Sequence, residues 1–167
     1  MSKLNIYKID DKYIEYLKQF DKFIAEPKNN RPYVGTLIFS NNNFYYFATL
    51  TSKTNKPEFY CVNLCNENGE KIAGVRINNM IPILKKDVIK IAKLIKYEKL
   101  LKSKNPFDIK YGNLLKQEVM ALNKKIIKDS IYKKAKKFYN GYKYKNSIKK
   151  ICCDFKKLEE KSWEYKF

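Results

Sequence analysis

The sequence predicts an α+β fold in which an antiparallel β-sheet packs against helices. β-rich segments separated by turn residues fill the first half of the chain, and apolar residues at helical spacing fill the second half. Strands and helices that are segregated in this way, instead of alternating, are typical of an α+β fold. The 167 residues, 44% of them hydrophobic, suffice for one domain over residues 1–167, and no repeat or linker suggests a second.

The first elements are a strand and a helix. Residues 4–7 alternate between apolar and polar side chains, and residues 10–20 have apolar side chains at helical spacing behind an acidic first turn. Residues 21–32 are polar and end in Pro32, which blocks a helix and favours an extended chain. This segment is therefore predicted to be a loop that enters a strand.

Two β-hairpins are expected next. The first joins residues 33–40 to residues 44–50 through three asparagines, which tolerate a left-handed backbone. The second joins residues 60–64 to residues 71–77 through a turn that contains an Asn-Gly pair. A fifth or sixth strand is predicted within residues 88–95.

Beyond Asp108 the apolar spacing becomes helical. From Leu114 to Ile131, apolar residues recur every three or four positions, and Gly141 interrupts the pattern. Two consecutive helices are predicted, followed by a terminal helix over residues 148–165.

The charge distribution indicates a polyanionic partner. The chain has 36 basic and 17 acidic residues, a formal charge of +19. Residues 1–83 carry 11 basic and 8 acidic side chains (+3), and residues 84–167 carry 25 and 9 (+16). An A/T-rich genome would enrich lysine without regard to function, but it does not explain this asymmetry. A nucleic acid is the expected partner.

Several other classes lose support. No glycine motif for nucleotide phosphates is present, and the absence of histidine removes Cys-His chemistry. The four cysteines lack the spacing of a zinc site, so we expect reduced thiols and neither metal nor cofactor. With no membrane-length apolar run and charges near the N-terminus, we expect no membrane partner and a cytoplasmic location.

The segment most suggestive of chemistry is residues 50–56, LTSKTNK, in which hydroxyl and ammonium groups follow an apolar strand. Such a loop can bind a phosphate. Cleavage of RNA by its own 2′-hydroxyl needs removal of the hydroxyl proton, stabilisation of the phosphorane and protonation of the leaving oxygen. The alternative is an ordinary polar turn capped by hydroxyls.

Five separated segments carry a resemblance to a known family. They are residues 11–17 (DKYIEYL), 31–35 (RPYVG), 47–53 (FATLTSK), 79–83 (NMIPI) and 153–161 (CDFKKLEEK). In order and spacing they resemble the ToxN/AbiQ group of endoribonucleases, the toxins of type III toxin-antitoxin systems, along nearly the whole chain.

The resemblance implies a twisted antiparallel sheet of about six strands with surrounding helices, including a kinked C-terminal helical pair. It implies metal-independent cleavage of cellular or phage RNA, at adenine-rich sites, to leave 2′,3′-cyclic phosphate and 5′-hydroxyl ends. It also implies inhibition by a repetitive, pseudoknotted RNA antitoxin in a closed ring that requires no direct protein-protein oligomer.

Carried over by position, Thr51 and Ser52 match the paired hydroxyls of the family's active-site loop. Lys53 or Lys56 matches its lysine, and Lys53 is our first choice; Lys56 is predicted to contact RNA. Arg31 stands at the family's basic position before the strand; because arginine does not readily lose a proton, we predict that it stabilises the transition state. A lysine whose pKa is lowered is the candidate base.

Two further features are candidates for RNA contact. Tyr13 matches a family tyrosine that can stack on a base or contact phosphate, with burial against the sheet as the alternative. A lysine-rich helical stretch can follow an RNA backbone or be only a solvated face. The residues predicted to contact RNA there are Lys124, Lys128, Lys133, Lys134 and Lys137.

The runner-up function is a non-catalytic RNA-binding module that uses the basic helices. A DNA-binding regulator ranks last, because no helix-turn-helix with a recognition helix stands outside the core pattern.

Overall fold

A six-stranded antiparallel sheet organises the protein, as the computed structural model shows for residues 3–27, 31–37, 43–53, 55–141 and 145–167. The spatial order of the strands is β4-β5-β3-β2-β1-β6. The α+β prediction is confirmed. In chain order the elements are β1 (Asn5–Ile9), α1 (Asp11–Lys18), β2 (Pro32–Leu37), β3 (Phe44–Thr51), β4 (Cys61–Cys65), β5 (Lys71–Leu84), a 3₁₀ turn (Lys85–Asp87), α2 (Val88–Ile91), β6 (Ala92–Leu94), α3 (Tyr97–Leu101), α4 (Pro106–Leu122), α5 (Lys125–Gly141), α6 (Asn146–Lys149) and α7 (Phe155–Glu164).

Both predicted strand pairs form. β2 and β3 are antiparallel, with Val34 opposite Ala48; residues 38–42, which include part of the predicted first turn, lie outside the described residues. β4 and β5 are joined by the predicted Asn-Gly turn, in which Gly69 has a φ of 79°. The Asn66 side chain accepts the backbone N–H of Glu70 at 3.0 Å and closes this turn.

β5 is longer than the predicted strand, which ended at residue 77. It continues to Leu84 because two buried asparagines find hydrogen-bond partners there. The Asn78 amide donates to the carbonyl of Ile151 at 2.7 Å, and Asn79 accepts the Thr49 hydroxyl at 2.8 Å. These bonds offset part of the cost of burying polar side chains in a central strand; Oδ1 of Asn78 and Nδ2 of Asn79 are buried without a partner among the described residues.

The strand predicted within residues 88–95 is only partly correct. Its first half is the short helix α2, and only Ala92–Leu94 forms a strand, β6, which pairs with β1. A short apolar run has no periodicity that distinguishes a strand from a buried helical turn.

The two predicted consecutive helices are α4 and α5. Asn105 caps α4 by accepting the backbone N–H of Phe107 at 2.9 Å, and Pro106 occupies the first turn, where no N–H is required. Asn123, between the helices, donates its side-chain amide to the carbonyl of Leu4 at 2.8 Å. The end of α4 is thereby attached to the start of β1. The short helix α3 was not predicted.

The single terminal helix predicted over residues 148–165 is wrong. The structure has α6 and α7, separated at Cys152 and Cys153. The backbone N–H of Cys153 donates to the carbonyl of Asn78 in β5 at 3.0 Å, which takes the chain out of the helix. Asp154 then caps α7 by accepting the N–H of Lys157 at 3.1 Å.

Helix α7 packs on β5 and buries a carboxylate. Glu159 is 7% exposed and accepts the hydroxyls of Tyr46 at 2.5 Å and Tyr139 at 2.8 Å, together with the Lys156 ammonium at 2.8 Å. A buried charge with this many donors is stably accommodated. Among the described helices, none combines the length and apolar character needed to cross a bilayer.

Candidate active site

A cleft of about 530 Å³ lies between the sheet and helix α4. It brings together the four residues predicted to be catalytic and the alternative lysine, along with side chains that the sequence analysis did not select. The lining residues are Arg31, Pro32, Leu50, Thr51, Ser52, Lys53, Lys56, Arg76, Tyr111, Leu114 and Glu118.

Strand pairing explains how distant segments meet here. Tyr33 in β2 lies opposite Thr49 in β3, and Arg31 and Thr51 each lie two residues from one member of this pair. Thr49 in turn lies opposite Arg76 in β5. Because paired residues in an antiparallel sheet project to the same face, both arginines and Thr51 share one face of the sheet.

A glycine leaves space beside Thr51. Gly74 in β5 is its direct cross-strand partner, and a Cβ at Gly74 would lie 2.6 Å from the Cys61 sulfur. No side chain could be accommodated there without displacing its neighbours.

Both arginines have an unsatisfied donor. The Nε atoms of Arg31 and Arg76 are buried and have no hydrogen-bond partner among the described residues. The Arg76 guanidinium also lies over the Tyr60 ring, 5.9 Å from its centroid. Because a buried donor without an acceptor is costly, and guanidinium groups match phosphate oxygens well, this arrangement suits a bound phosphate.

The loop after β3 fits both interpretations of its sequence, a polar turn capped by hydroxyls and a phosphate-binding loop. Thr51 accepts the backbone N–H of Lys53 at 3.2 Å, so its hydroxyl does cap a polar turn. The same hydroxyl still has a proton to donate into the cleft. Ser52 and Lys53 are exposed, whereas Lys56 is partly buried; Thr54 lies outside the described residues.

Glu118 was not selected from the sequence, although a signal was present. It lies on the buried face of α4 with Leu115, Val119 and Leu122, where the helical pattern calls for an apolar residue. The side chain is 5% exposed, and burial raises the pKa of the carboxyl to about 7.

Arg76 was missed for a similar reason. It interrupts β5 between Val75 and Ile77, which are both fully buried. An arginine within an apolar strand is a candidate functional residue, because a charge there needs a partner. From the sequence, Arg76 was assigned only to a strand of the second predicted hairpin.

Tyr13 lies in the core. It is 1% exposed, and its hydroxyl lies 2.7 Å from both the carbonyl of Pro82 and the Ser162 hydroxyl. Tyr13 is therefore buried against the sheet, which was the alternative to RNA contact. In this conformation it has no surface with which to contact RNA.

Lys56 lines the cleft, whereas the lysines of the helical stretch that are predicted to contact RNA do not. Lys134 donates to the backbone carbonyls of Glu58 and Cys61, the latter at 3.3 Å, so that it attaches α5 to the segment before β4. Burial lowers its pKa. The Lys137 ammonium lies 5.4 Å from the centre of the Phe59 ring.

The other lysines of the helical stretch differ in exposure. Lys124 and Lys133 are exposed and Lys128 is partly so. Lys124 also borders a second cleft of about 550 Å³, next to α4, whose lining includes Asn66 and Asn113. RNA contact by these lysines stays a prediction.

Comparison with known proteins identifies relatives over nearly the whole chain. A sequence model of the family described as "Toxin ToxN, type III toxin-antitoxin system" matches residues 5–162. The Endoribonuclease ToxN of Bacillus thuringiensis subsp. kurstaki is 32% identical over 170 residues, covering 95% of this chain and 82% of the relative.

Two solved structures have the same fold. One, from a study of selective toxin inhibition by a non-coding RNA pseudoknot in bacterial type III toxin-antitoxin systems, has a TM-score of 0.84 and 31% identity over 98% of each chain. The other, AbiQ, a lactococcal anti-phage endoribonuclease of a type III system, has a TM-score of 0.80 and 22% identity over 98% of each chain. The extent of the family match and the identity to its curated member show that this chain belongs to the ToxN family of type III toxin-antitoxin toxins.

Proposed function

We propose that this protein is a metal-independent endoribonuclease toxin whose active site is the cleft between the sheet and α4. One observation carries the proposal. Two arginines, Arg31 and Arg76, line the cleft, and each has a buried Nε donor without a hydrogen-bond partner among the described residues. The loop of Thr51, Ser52 and Lys53 lines the same cleft. Relatives with this fold include proteins named as endoribonucleases.

In this site the scissile phosphate binds to the arginines. The 2′-oxygen of the preceding nucleotide attacks phosphorus, and the bond from phosphorus to the 5′-oxygen breaks. The products are a 2′,3′-cyclic phosphate and a 5′-hydroxyl. The phosphorane formed on the way carries additional negative charge, which fixed guanidinium and ammonium groups stabilise.

The loop residues have separate roles. The hydroxyls of Thr51 and Ser52 donate hydrogen bonds to the non-bridging oxygens, and the Lys53 ammonium faces the leaving oxygen. Arg31 and Arg76 stabilise charge rather than move protons, because arginine stays protonated in proteins. Lys56 contacts the adjoining backbone.

The proposed inhibitor is a repetitive, pseudoknotted small RNA that holds the toxin in a closed ring without direct contacts between toxin copies. A structural relative comes from work on toxin inhibition by an RNA pseudoknot, and the net charge of residues 84–167 is +16. Lys124, Lys128, Lys133 and Lys137 would contact its backbone. The substrates would be cellular or phage RNA in the cytoplasm, cut at adenine-rich sites.

The test is incubation of the purified protein with a mixed RNA in EDTA, followed by mapping of the cuts and of the new termini. We expect cyclic-phosphate and 5′-hydroxyl ends. Replacing one oxyanion-stabilising group typically costs about 10²–10³ in rate, so Lys53→Ala and Arg76→Ala should each lose at least that much.

Lys56→Ala in parallel decides which lysine is catalytic, and Lys99→Ala, at an exposed lysine on α3 that does not line the cleft, is the matched control. Full activity of Lys53→Ala would remove Lys53 from the mechanism. RNA that is bound tightly but stays intact would favour the non-catalytic RNA-binding module.

A further inference from the structure

Among the described side chains that line the cleft, one is acidic: Glu118, to which neither the fold nor the proposed phosphate site assigns a role. Tyr111, Leu114 and Glu118 are spaced three and four residues apart on α4 and form a stripe along the cleft. The arginines and the loop line the same cleft from the sheet side. A nucleotide bound in this cleft would therefore lie between the arginines and this stripe.

Glu118 is not held as a structural carboxylate. Among the described residues it accepts no hydrogen bond and forms no ion pair, although it is only 5% exposed. Glu159, the other buried glutamate, accepts two tyrosine hydroxyls and a lysine ammonium. A buried carboxyl without such donors lowers the free energy of unfolding. Destabilising residues of this kind are concentrated at functional sites.

The other ionisable groups around the cleft are poorly suited to accept a proton near neutral pH. Arginine does not lose its proton, and lysine ammonium groups are proton donors. Burial and the charge of Glu118 raise the pKa of Tyr111 away from neutrality, and burial raises that of Cys61, which pairs with Arg76 from β4. The groups that line the cleft with Glu118 are Arg31, Lys53, Lys56, Arg76 and Tyr111.

We infer that Glu118 is the general base of the cleavage reaction, an inference that rests on the function proposed above. Its carboxylate takes the proton of the attacking 2′-hydroxyl while the 2′-oxygen forms its bond to phosphorus. The bond between phosphorus and the 5′-oxygen breaks, and the 5′-oxygen takes a proton from the Lys53 ammonium. Exchange with water then removes the proton from Glu118 and returns one to Lys53.

A carboxyl in this environment suits the task. A general base is most effective when its pKa lies near the working pH, and burial places that of Glu118 at about 7. In this mechanism the Glu118 carboxylate, and not a lysine as predicted from the sequence, is the general base. Lys53 is the general acid.

The experiment compares single-turnover cleavage by wild type and Glu118→Gln from pH 5 to pH 8.5 in EDTA. For wild type we expect the rate to rise about tenfold per pH unit and to level off near pH 7. For Glu118→Gln we expect a loss of about 10²–10⁴ at pH 8 and no such rise. Affinity for an RNA with a 2′-deoxyribose at the cut site should change less than about threefold, since charge at the arginines is retained.

Two further variants separate catalysis from structure. Glu118→Ala leaves space for a small carboxylate, so added formate should restore part of its activity. Glu98→Gln, an exposed glutamate on α3, is the control and should match wild type. A merely structural role predicts that the pH dependence of the rate stays intact and that formate does not rescue activity.

Failure of this inference is distinguishable from failure of the proposed function. Cyclic-phosphate ends from both wild type and Glu118→Gln, with the same pH profile, would overturn the role of Glu118 alone. The same conclusion follows if the wild-type rate shows no rise toward pH 7. Cleavage of the 2′-deoxy substrate by wild type would instead overturn the proposed 2′-hydroxyl mechanism.

Discussion

Replacing Glu118 by glutamine should change how the stability of the folded protein depends on pH. The carboxyl has a pKa of about 7 in the folded protein, against an ordinary value of 4.5. The folded state therefore binds this proton more tightly than the unfolded chain does. The stabilisation is complete below about pH 4.5, is lost as pH rises, and is gone above about pH 7.

The size of the effect follows from that difference in pKa. At 1.36 kcal/mol for each pKa unit, the free energy of unfolding falls by about 3 kcal/mol over the whole range. About 2.5 kcal/mol of this loss lies between pH 5 and pH 8. Glutamine has nearly the same shape and does not ionise, so Glu118→Gln should gain about 2.5 kcal/mol relative to wild type over this interval.

The assay is urea denaturation of both proteins at pH 5, 6, 7 and 8, with the difference in unfolding free energy plotted against pH. Other carboxyl groups titrate in both proteins and cancel in this difference. A difference that stays constant within about 0.5 kcal/mol would contradict the raised pKa of Glu118. It would mean that this carboxyl has similar proton affinities in the folded and unfolded states.

Three other predictions concern the framework around the cleft. Tyr46→Phe removes a hydroxyl that donates to the buried Glu159 carboxylate, and urea denaturation should show a loss of about 1.5–3 kcal/mol; an unchanged midpoint would contradict this. Gly35→Ala places a Cβ 2.3 Å from the buried Phe47 ring, so we expect a loss of about 1–3 kcal/mol in the same assay, and unaltered stability would show that the ring moves aside at no cost. Iodoacetamide at pH 8 should modify Cys65 rapidly and the three buried thiols only in urea, as counted by mass spectrometry; rapid native modification of more than one thiol would contradict their burial.

Local patterns predicted much of the fold. The alternation of residues 4–7, the Asn-Gly pair of the second turn and the helical spacing after Asp108 each depend on neighbouring side chains, and the corresponding elements formed. The terminal helix failed because its interruption comes from a partner distant in sequence. Cys153 bonds to the carbonyl of Asn78, and no pattern within residues 148–165 reveals that bond.

Some residues of the candidate site could be predicted from the sequence and others could not. Arg31, Thr51, Ser52 and Lys53 were selected because a loop composition and a family resemblance marked them, and the structure places them in one cleft. Arg76 and Glu118 were missed because each sits inside a regular element whose apolar periodicity had already been assigned. A charged residue at an apolar position of a strand or helix was the available signal.

In the proposed mechanism the nucleophile that cleaves RNA in the cleft is the adjacent 2′-hydroxyl of the substrate itself. The most direct measurement uses a short RNA containing one mapped cut site, made with either ribose or 2′-deoxyribose at the nucleotide before the scissile phosphate, and incubated with wild type in EDTA. We expect complete cleavage of the ribose substrate, with a cyclic-phosphate end, and none at that position in the deoxyribose substrate. Cleavage of both substrates at the same bond would contradict it, because the nucleophile would then have to come from elsewhere.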